Sequence, residues 1–261
     1  MQTQEQFISF NQHQIYTKQW IVDEEQKLSP IVLLHESLGS TELWKDFPEI
    51  LAEKLKRNVI SYDRIGFGQS SARNDLLALS FVADEAEPLT AVLDALALQS
   101  CILLGHSVGG GMAVAIGSML KARCKAVITV AAQAYVEGET LDGIRHAAEN
   151  ACPNPKFIES LSRYHGEKTQ WVLDAWTNTW LNPAFRDWNT AEYLEKLECL
   201  LLVIHGDQDP YATIAQPEYF IAKAKTKQKI SHIMRGCGHF PHREKQDNLL
   251  QTLEIFLRTI Q

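Results

Sequence analysis

The stretch Gly105-His106-Ser107-Val108-Gly109 follows an apolar run, Cys101–Leu104, and precedes a segment of small, helix-compatible residues, Gly110–Leu120. It matches the G-x-S-x-G pattern in the order strand, turn, helix. A sharp turn between a strand and a helix strains the backbone of the central serine and exposes its hydroxyl group. The flanking glycines let neighbouring backbone pass without a clash with a Cβ atom. The pattern predicts Ser107 as a nucleophile beside a helix N-terminus that favours negative charge on its reaction partner.

Apolar runs that are typical of buried strands alternate with segments of helical periodicity along most of the chain. We predict strands at Phe7–Phe10, Gln14–Val22, Pro30–Leu34, Val59–Tyr62, Cys101–Leu104, Cys124–Ala131, Cys199–Ile204 and Lys229–Met234. We predict helices near 43–55, at Phe81–Leu98, at Val108–Leu120, near Ala215–Ala224 and at the carboxyl end of the chain. The alternation predicts an α/β fold with a mostly parallel sheet of about eight strands and helices on both faces.

The alternation stops between Ala131 and Cys199, where the sequence is helical in character and rich in aromatic residues. We therefore predict a core domain formed by residues 1–135 and 197–261, with a helical cap inserted at 136–196. A cap between two late strands would cover the carboxyl edge of the sheet, where such folds bind ligands. Trp176 and Trp180 share one helix face in this segment, and they either hold the cap on the sheet or line an apolar pocket. The sequence assigns no residue to substrate binding.

A serine hydroxyl is a weak nucleophile and needs a base within hydrogen-bond reach. His239, in Gly236-Cys237-Gly238-His239-Phe240-Pro241, lies between the last predicted strand and the last predicted helix. That position puts it at the same sheet edge as Ser107, so we predict His239 as the general base.

The base needs a carboxylate to orient it, and His205-Gly206-Asp207-Gln208-Asp209 offers two directly after a strand. We favour Asp209 because it is further along the loop and can reach the next loop. Asp207 is suited to closing the turn with hydrogen bonds to the backbone. Glu137 and Glu139, after the preceding strand, remain as alternatives.

Two N–H groups are needed to stabilise the oxyanion of an acyl-transfer reaction. The first predicted donor is the backbone N–H of Val108, directly after the nucleophile. The second is the N–H of Ser37, in the loop after the strand Pro30–Leu34.

The chain resembles α/β-hydrolase-fold enzymes that carry a helical cap. The resemblance rests on motifs that occur in family order: His35-Glu36-Ser37-Leu38-Gly39, Asp63-Arg64-Ile65-Gly66-Phe67-Gly68-Gln69-Ser70, Gly105-His106-Ser107-Val108-Gly109, Gly206-Asp207-Gln208-Asp209 and Gly238-His239-Phe240-Pro241. It implies Ser107 as nucleophile, Asp209 as acid, His239 as base, and an oxyanion hole at Ser37 and Val108. Members that act as haloalkane dehalogenases or epoxide hydrolases carry Asp at the nucleophile position, so Ser107 points instead to acyl transfer to water.

One residue departs from the family pattern, because Glu36 stands where these enzymes usually have Gly after His. A carboxylate near an oxyanion hole opposes the charge that the hole must stabilise. Glu36 therefore either points away from the site or adapts it to an unusual substrate.

The expected function is hydrolysis of a small carboxylic ester through an acyl-enzyme on Ser107. Two alternatives use the same residues, namely C–C bond hydrolysis and thioester hydrolysis. A third alternative, of another class, is a catalytically idle fold that serves as a binding module, although all three expected catalytic residues are present.

Composition excludes several other classes of function. The net charge of −7 favours neither nucleic acid nor an anionic membrane surface as a partner. The odd number of cysteines, five, and the absence of a signal-peptide pattern indicate a reduced, cytoplasmic protein without disulfides. We expect no cofactor and no metal, since the His and Asp residues near 205–209 and 239–242 lie on two separate loops. The expected partner is a small-molecule substrate, and the oligomeric state is left open.

Overall fold

The computed structural model describes residues 1–25, 27–258 and 260 of the 261-residue chain. Gln26, Thr259 and Gln261, which fall within the predicted core segments, lie outside the described residues. The strands are β1 (Gln2–Phe10), β2 (His13–Ile21), β3 (Ile31–Leu34), β4 (Val59–Tyr62), β5 (Cys101–His106), β6 (Cys124–Val130), β7 (Leu200–Gly206) and β8 (Lys229–Met234).

These strands form one eight-stranded sheet in the order β1-β2-β4-β3-β5-β6-β7-β8. The strand β2 pairs antiparallel with both β1 and β4, and every other pairing is parallel. The predicted mostly parallel sheet is therefore confirmed. The opening hairpin is longer than predicted, since β1 begins at Gln2 rather than at Phe7.

The helices are α1 (Phe47–Leu55), α2 (Phe81–Asp84), α3 (Ala86–Ala95), α4 (Val108–Leu120), α5 (Gly138–Asn150), α6 (Pro155–His165), α7 (Thr169–Trp180), α8 (Ala191–Lys196), α9 (Ala215–Lys223), α10 (Pro241–Glu244) and α11 (Gln246–Leu257). Short 3-10 turns at Thr41–Trp44, Lys121–Arg123, Gly166–Lys168 and Pro183–Phe185 complete the helical segments.

Helices cover both faces of the sheet, as predicted. Successive side chains of β3 point to opposite faces, because a strand alternates its side chains. Ile31 and Leu33 belong to a core shared with α1 and α11. Val32 and Leu34 belong to a second core shared with α3, α4, α8 and α9. All four β3 residues are buried, which explains the continuous apolar run in the sequence.

The single helix predicted at Phe81–Leu98 is wrong, since α2 ends at Asp84 and α3 spans Ala86–Ala95. Pro88 accounts for the break. Its ring clashes with the carbonyl of the residue four positions earlier, Asp84, and its nitrogen cannot donate the corresponding hydrogen bond. The chain turns at Glu85, whose carboxylate accepts a hydrogen bond from the Tyr62 hydroxyl at 2.9 Å.

The chain between β6 and β7 contains α5, α6, α7 and α8 and no strand. One isolated bridge, between Tyr135 and Asn189, joins the two ends of this helical segment. The segment therefore leaves the sheet and returns to it at neighbouring points, as an insertion does.

All five cysteines are free thiols, and the Sγ atoms of Cys124 and Cys199 lie 3.8 Å apart. Within the described part of the chain, no helix has the length and apolarity needed to cross a membrane.

Candidate active site

Ser107 occupies the one-residue turn between β5 and α4. Its φ of 55° and ψ of −127° are unfavourable for a residue with a side chain and cost about 1–3 kcal/mol. The Ser107 N–H donates to the Val130 carbonyl at 3.0 Å, which helps to hold this conformation. A Cβ on Gly105 would lie 2.0 Å from the Gly109 carbonyl oxygen, and one on Gly109 would lie 2.3 Å from that of Leu34. The flanking positions therefore require glycine, as the motif predicts.

A continuous chain of hydrogen bonds joins the three residues that the sequence singles out. The Ser107 Oγ lies 3.1 Å from His239 Nε2, and His239 Nδ1 lies 2.8 Å from Asp209 Oδ2. The side chain of Asp209 is fully buried, and His239 is 7% exposed. Because an ionised carboxylate only accepts hydrogen bonds, Nδ1 carries the proton and Nε2 is left to accept the serine proton.

The two carboxylates of the loop after β7 have different partners. Asp209 uses Oδ2 for His239 and accepts a hydrogen bond from the Tyr211 N–H on Oδ1 at 2.8 Å. Asp207 accepts from the Gly236 N–H at 2.7 Å and so ties this loop to the loop that carries His239. Asp209 therefore contacts His239, whereas Asp207 contacts the backbone.

The alternative carboxylates after β6 do not reach His239. Glu137 accepts hydrogen bonds from the backbone N–H and the hydroxyl of Thr213, at 2.6 and 2.9 Å. Glu139 is exposed in the first turn of α5.

Three other histidines at strand ends are bound to the backbone, in agreement with their positions inside the fold. In each, a ring nitrogen lies within hydrogen-bond distance of a carbonyl oxygen, and only the nitrogen can donate there. The pairs are His35 Nδ1 with Glu36 O at 2.8 Å, His106 Nε2 with His239 O at 2.7 Å, and His205 Nε2 with Ala212 O at 2.9 Å.

The two predicted oxyanion donors lie beside the serine. Ser37 is in a turn that is closed by a hydrogen bond from the Gly39 N–H to the Glu36 carbonyl at 3.0 Å. Val108 is the first residue of α4, where backbone N–H groups have no partner within the helix. Among the residues that the structure describes, neither the Ser37 N–H nor the Val108 N–H donates to a protein acceptor. Both are free to bind an anion.

Gln133 contacts Ser107 and is not predicted by the sequence analysis. Its Oε1 lies 3.2 Å from the Ser107 Oγ, and its side chain is buried. A signal was present, since a polar residue that follows an apolar strand lies at the carboxyl edge of the sheet. Only the proximity to Ser107 in the folded structure distinguishes Gln133 from other polar residues that follow strands.

Ser107 opens into a cavity of about 120 Å³. Its lining combines a few polar side chains with apolar and aromatic ones from both the sheet edge and the helical segment: Glu36, Ser37, Leu38, Ser107, Gln133, Thr140, Ile144, Trp176, Trp180, Tyr211, His239 and Phe240. Trp180 also packs edge-on against Phe185, so it both lines the cavity and anchors the helices. Trp171 lies elsewhere and donates to the Asp75 carbonyl.

Residues 31–252 of this chain match the alpha/beta hydrolase family. The chain belongs to this family. It is 25% identical to the proline iminopeptidase of Lactobacillus helveticus, over 91% of this chain and 92% of that protein. It is 24% identical to 3-oxoadipate enol-lactonase 1 of Acinetobacter baylyi, over 89% of this chain and 90% of that protein. Its structure is similar to that of a thermophilic esterase from Thermogutta terrifontis, with a TM-score of 0.71, 20% identity and 98% of each chain covered. The predicted fold and family are confirmed.

A larger cleft of this hydrolase, of about 810 Å³, lies beyond Arg64. A small cavity of about 10 Å³, bordered by Val108, shares Arg64 with this cleft and Ser37 with the cavity at Ser107. The cleft is lined by none of the residues of the Ser107 hydrogen-bond chain, so we assign the candidate active site to the smaller cavity.

No group of three or more His, Cys, Asp or Glu side chains within the described ranges is arranged to hold a metal ion. His239 and Asp209 instead contact each other, and His106 and His205 contact backbone carbonyls.

Proposed function

We propose that this hydrolase cleaves a small carboxylic ester through an acyl-enzyme formed on Ser107. The observation that carries the proposal is the hydrogen-bond chain from the Ser107 Oγ through His239 to the buried Asp209 carboxylate. A complete chain of this kind supports an active enzyme over an idle binding module, because each residue already has the partner that its role requires.

In the proposed first step, His239 Nε2 takes the Ser107 proton while Oγ attacks the ester carbonyl carbon. The resulting oxyanion is stabilised by the N–H groups of Ser37 and Val108. When the tetrahedral intermediate collapses, the bond to the alcohol breaks and His239 donates its proton to the leaving alkoxide. A water molecule, deprotonated by His239, then attacks the acyl-enzyme and releases the acid and Ser107. No step needs a cofactor.

We further propose that residues 136–196 form a cap that closes the site. The support is the cavity lining, since Thr140 and Ile144 of α5 and Trp176 and Trp180 of α7 face the same space as Ser107. A cap of this kind excludes water and restricts the acyl group to a small size.

Labelling with a fluorophosphonate probe tests the nucleophile without knowledge of the substrate. We expect a single adduct on the Ser107 peptide, detected by mass spectrometry, and its loss in His239→Ala, because the serine is unreactive without its base. Absence of an adduct in folded wild-type protein would contradict the proposed function.

The pH dependence of ester hydrolysis should reflect the burial of His239. Burial lowers the pKa of His239 below its ordinary value, and the Asp209 carboxylate opposes this shift without cancelling it. Since the base is active only when neutral, kcat/KM should stay constant from neutral pH down past about 6.5, the ordinary pKa of histidine, and fall in more acidic solution. A pH–rate profile for a neutral ester measures this, and an acid limb centred above pH 7 would contradict it.

A further inference from the structure

Glu36 is one of the residues around the cavity onto which Ser107 opens. Glu36 lines that cavity, and its side chain is 18% exposed. A Cβ on Gly39 would lie 2.4 Å from Glu36 Oε2, so a glycine at position 39 leaves the room that the carboxylate occupies. The local turn is therefore built around this side chain.

No lysine or arginine in the described part of the chain forms an ion pair with the Glu36 carboxylate. In the part of the chain that the structure describes, no Lys or Arg nitrogen lies within 4.0 Å of it. Arg64 is nearby but donates to the Glu36 backbone carbonyl, at 3.0 Å. The Nδ1 atom of His106 lies 3.7 Å from Glu36 Oε2, which is within ion-pair distance for a protonated ring but longer than a hydrogen bond. The other nitrogen of that ring is held by the His239 carbonyl.

The neighbouring His106 ring favours the ionised form of Glu36. Burial by itself would raise the pKa of its carboxyl group, but the neighbouring His106 ring brings the pKa well below the ordinary value. A negative charge in a largely apolar cavity is costly unless a cation pairs with it closely, and the His106 ring is 3.7 Å away. It also opposes an oxyanion at the N–H of the next residue, Ser37. A positively charged ligand group would remove both costs.

We propose that Glu36 binds the ammonium group of the substrate, so that this hydrolase prefers small esters of amino acids with a free amino group. The inference rests on the proposed function, since the ammonium group and the carbonyl attacked by Ser107 must share one cavity. The cavity of about 120 Å³ keeps them within a few atoms of each other, as in an α-amino acyl group. Its aromatic walls, Trp176, Trp180 and Phe240, shield the ion pair from water and strengthen it.

The test compares alanine methyl ester with methyl isobutyrate, in which a methyl group replaces the ammonium group at nearly constant size. Acid release is titrated at pH 7, where an α-amino group with a pKa of about 7.7–8.0 is mostly protonated. We expect wild-type kcat/KM to be at least about tenfold higher for the alanine ester. Glu36→Gln should lower kcat/KM for the alanine ester by about 10- to 100-fold and should not lower that for methyl isobutyrate, because it removes the charge that opposes the oxyanion.

The control is Glu139→Gln, which removes one negative charge from an exposed position on α5 and should keep the wild-type preference. An equal loss on both esters in Glu36→Gln would overturn the inference, because Glu36 would then act through His106 on the reaction itself. A wild-type enzyme without preference for the alanine ester would also overturn it, whether or not the variant folds. In either case, if the fluorophosphonate probe still labels Ser107, the proposed function stands and only the inference about Glu36 is wrong. If the probe does not label Ser107, the proposed function itself is wrong.

Discussion

Replacing Ser107 with alanine is expected to lower kcat/KM for a small ester by about 10⁴- to 10⁶-fold. The variant keeps the cavity and the N–H groups of Ser37 and Val108, so a slow residual hydrolysis by water remains. The change removes only one oxygen atom from a side chain in the turn between β5 and α4. Since alanine, like serine, must adopt the φ of 55° there, the strain of the turn is unchanged.

Ser118→Ala is the matched control. Ser118 lies on α4, the helix that follows Ser107, is also buried, and donates its hydroxyl to the Ala115 carbonyl at 2.7 Å. The Ser118→Ala variant should keep kcat/KM within about threefold of wild type, because Ser118 contacts no group of the site. Steady-state hydrolysis of one ester by the three purified proteins is the measurement. Equal rates for wild type and Ser107→Ala would show that another group is the nucleophile.

Much of the fold and of the site could be predicted because the decisive constraints are local. The glycines at 105 and 109 are required by close backbone contacts that the motif itself creates. Ser107, Asp209 and His239 each follow a strand that runs parallel to its neighbours, and the carboxyl ends of such strands share one edge. Residues distant in sequence were therefore expected to meet.

The side-chain details depended on contacts across the sheet and could not be derived in this way. Nothing near Gln133 in sequence indicates that its amide reaches Ser107. The direction of the Glu36 side chain depends on the space at Gly39 and on the position of His106, which belongs to another strand. The positions of the Gln133 and Glu36 side chains both depend on packing between segments that are distant in sequence. The spacing of apolar residues within one segment carries no information about such contacts.

The break between α2 and α3 is different, because its cause was visible in the sequence. Pro88 lies inside the predicted helix, but the prediction followed the helical spacing of the apolar residues and not the proline. The buried faces of both short helices still follow that periodicity, with Phe81 and Leu89 in the same core. Apolar spacing thus predicted which residues are buried, whereas backbone chemistry decided where the helix ends.

Replacing Asp209 with asparagine is expected to lower kcat/KM by about 10³- to 10⁴-fold without loss of the fold. The reason lies in the two contacts of this side chain. The Tyr211 N–H requires an acceptor and will hold the asparagine Oδ1. The amide Nδ2 then faces His239 Nδ1, where the carboxylate oxygen was. The histidine must accept there, so its proton moves to Nε2 and the ring can no longer take the proton of Ser107.

Asp207→Asn provides the control for this change, since it alters the same loop by the same chemical step. Its Oδ1 accepts from the Gly236 N–H, and the asparagine oxygen can do the same, so kcat/KM should stay within about threefold of wild type. Hydrolysis of one neutral ester and the rate of fluorophosphonate labelling should fall together in Asp209→Asn. A large loss in Asp207→Asn with a small one in Asp209→Asn would reverse the assignment of the acid. Equal small losses would instead mean that His239 holds the required tautomer without a carboxylate, and that burial alone makes it an effective base.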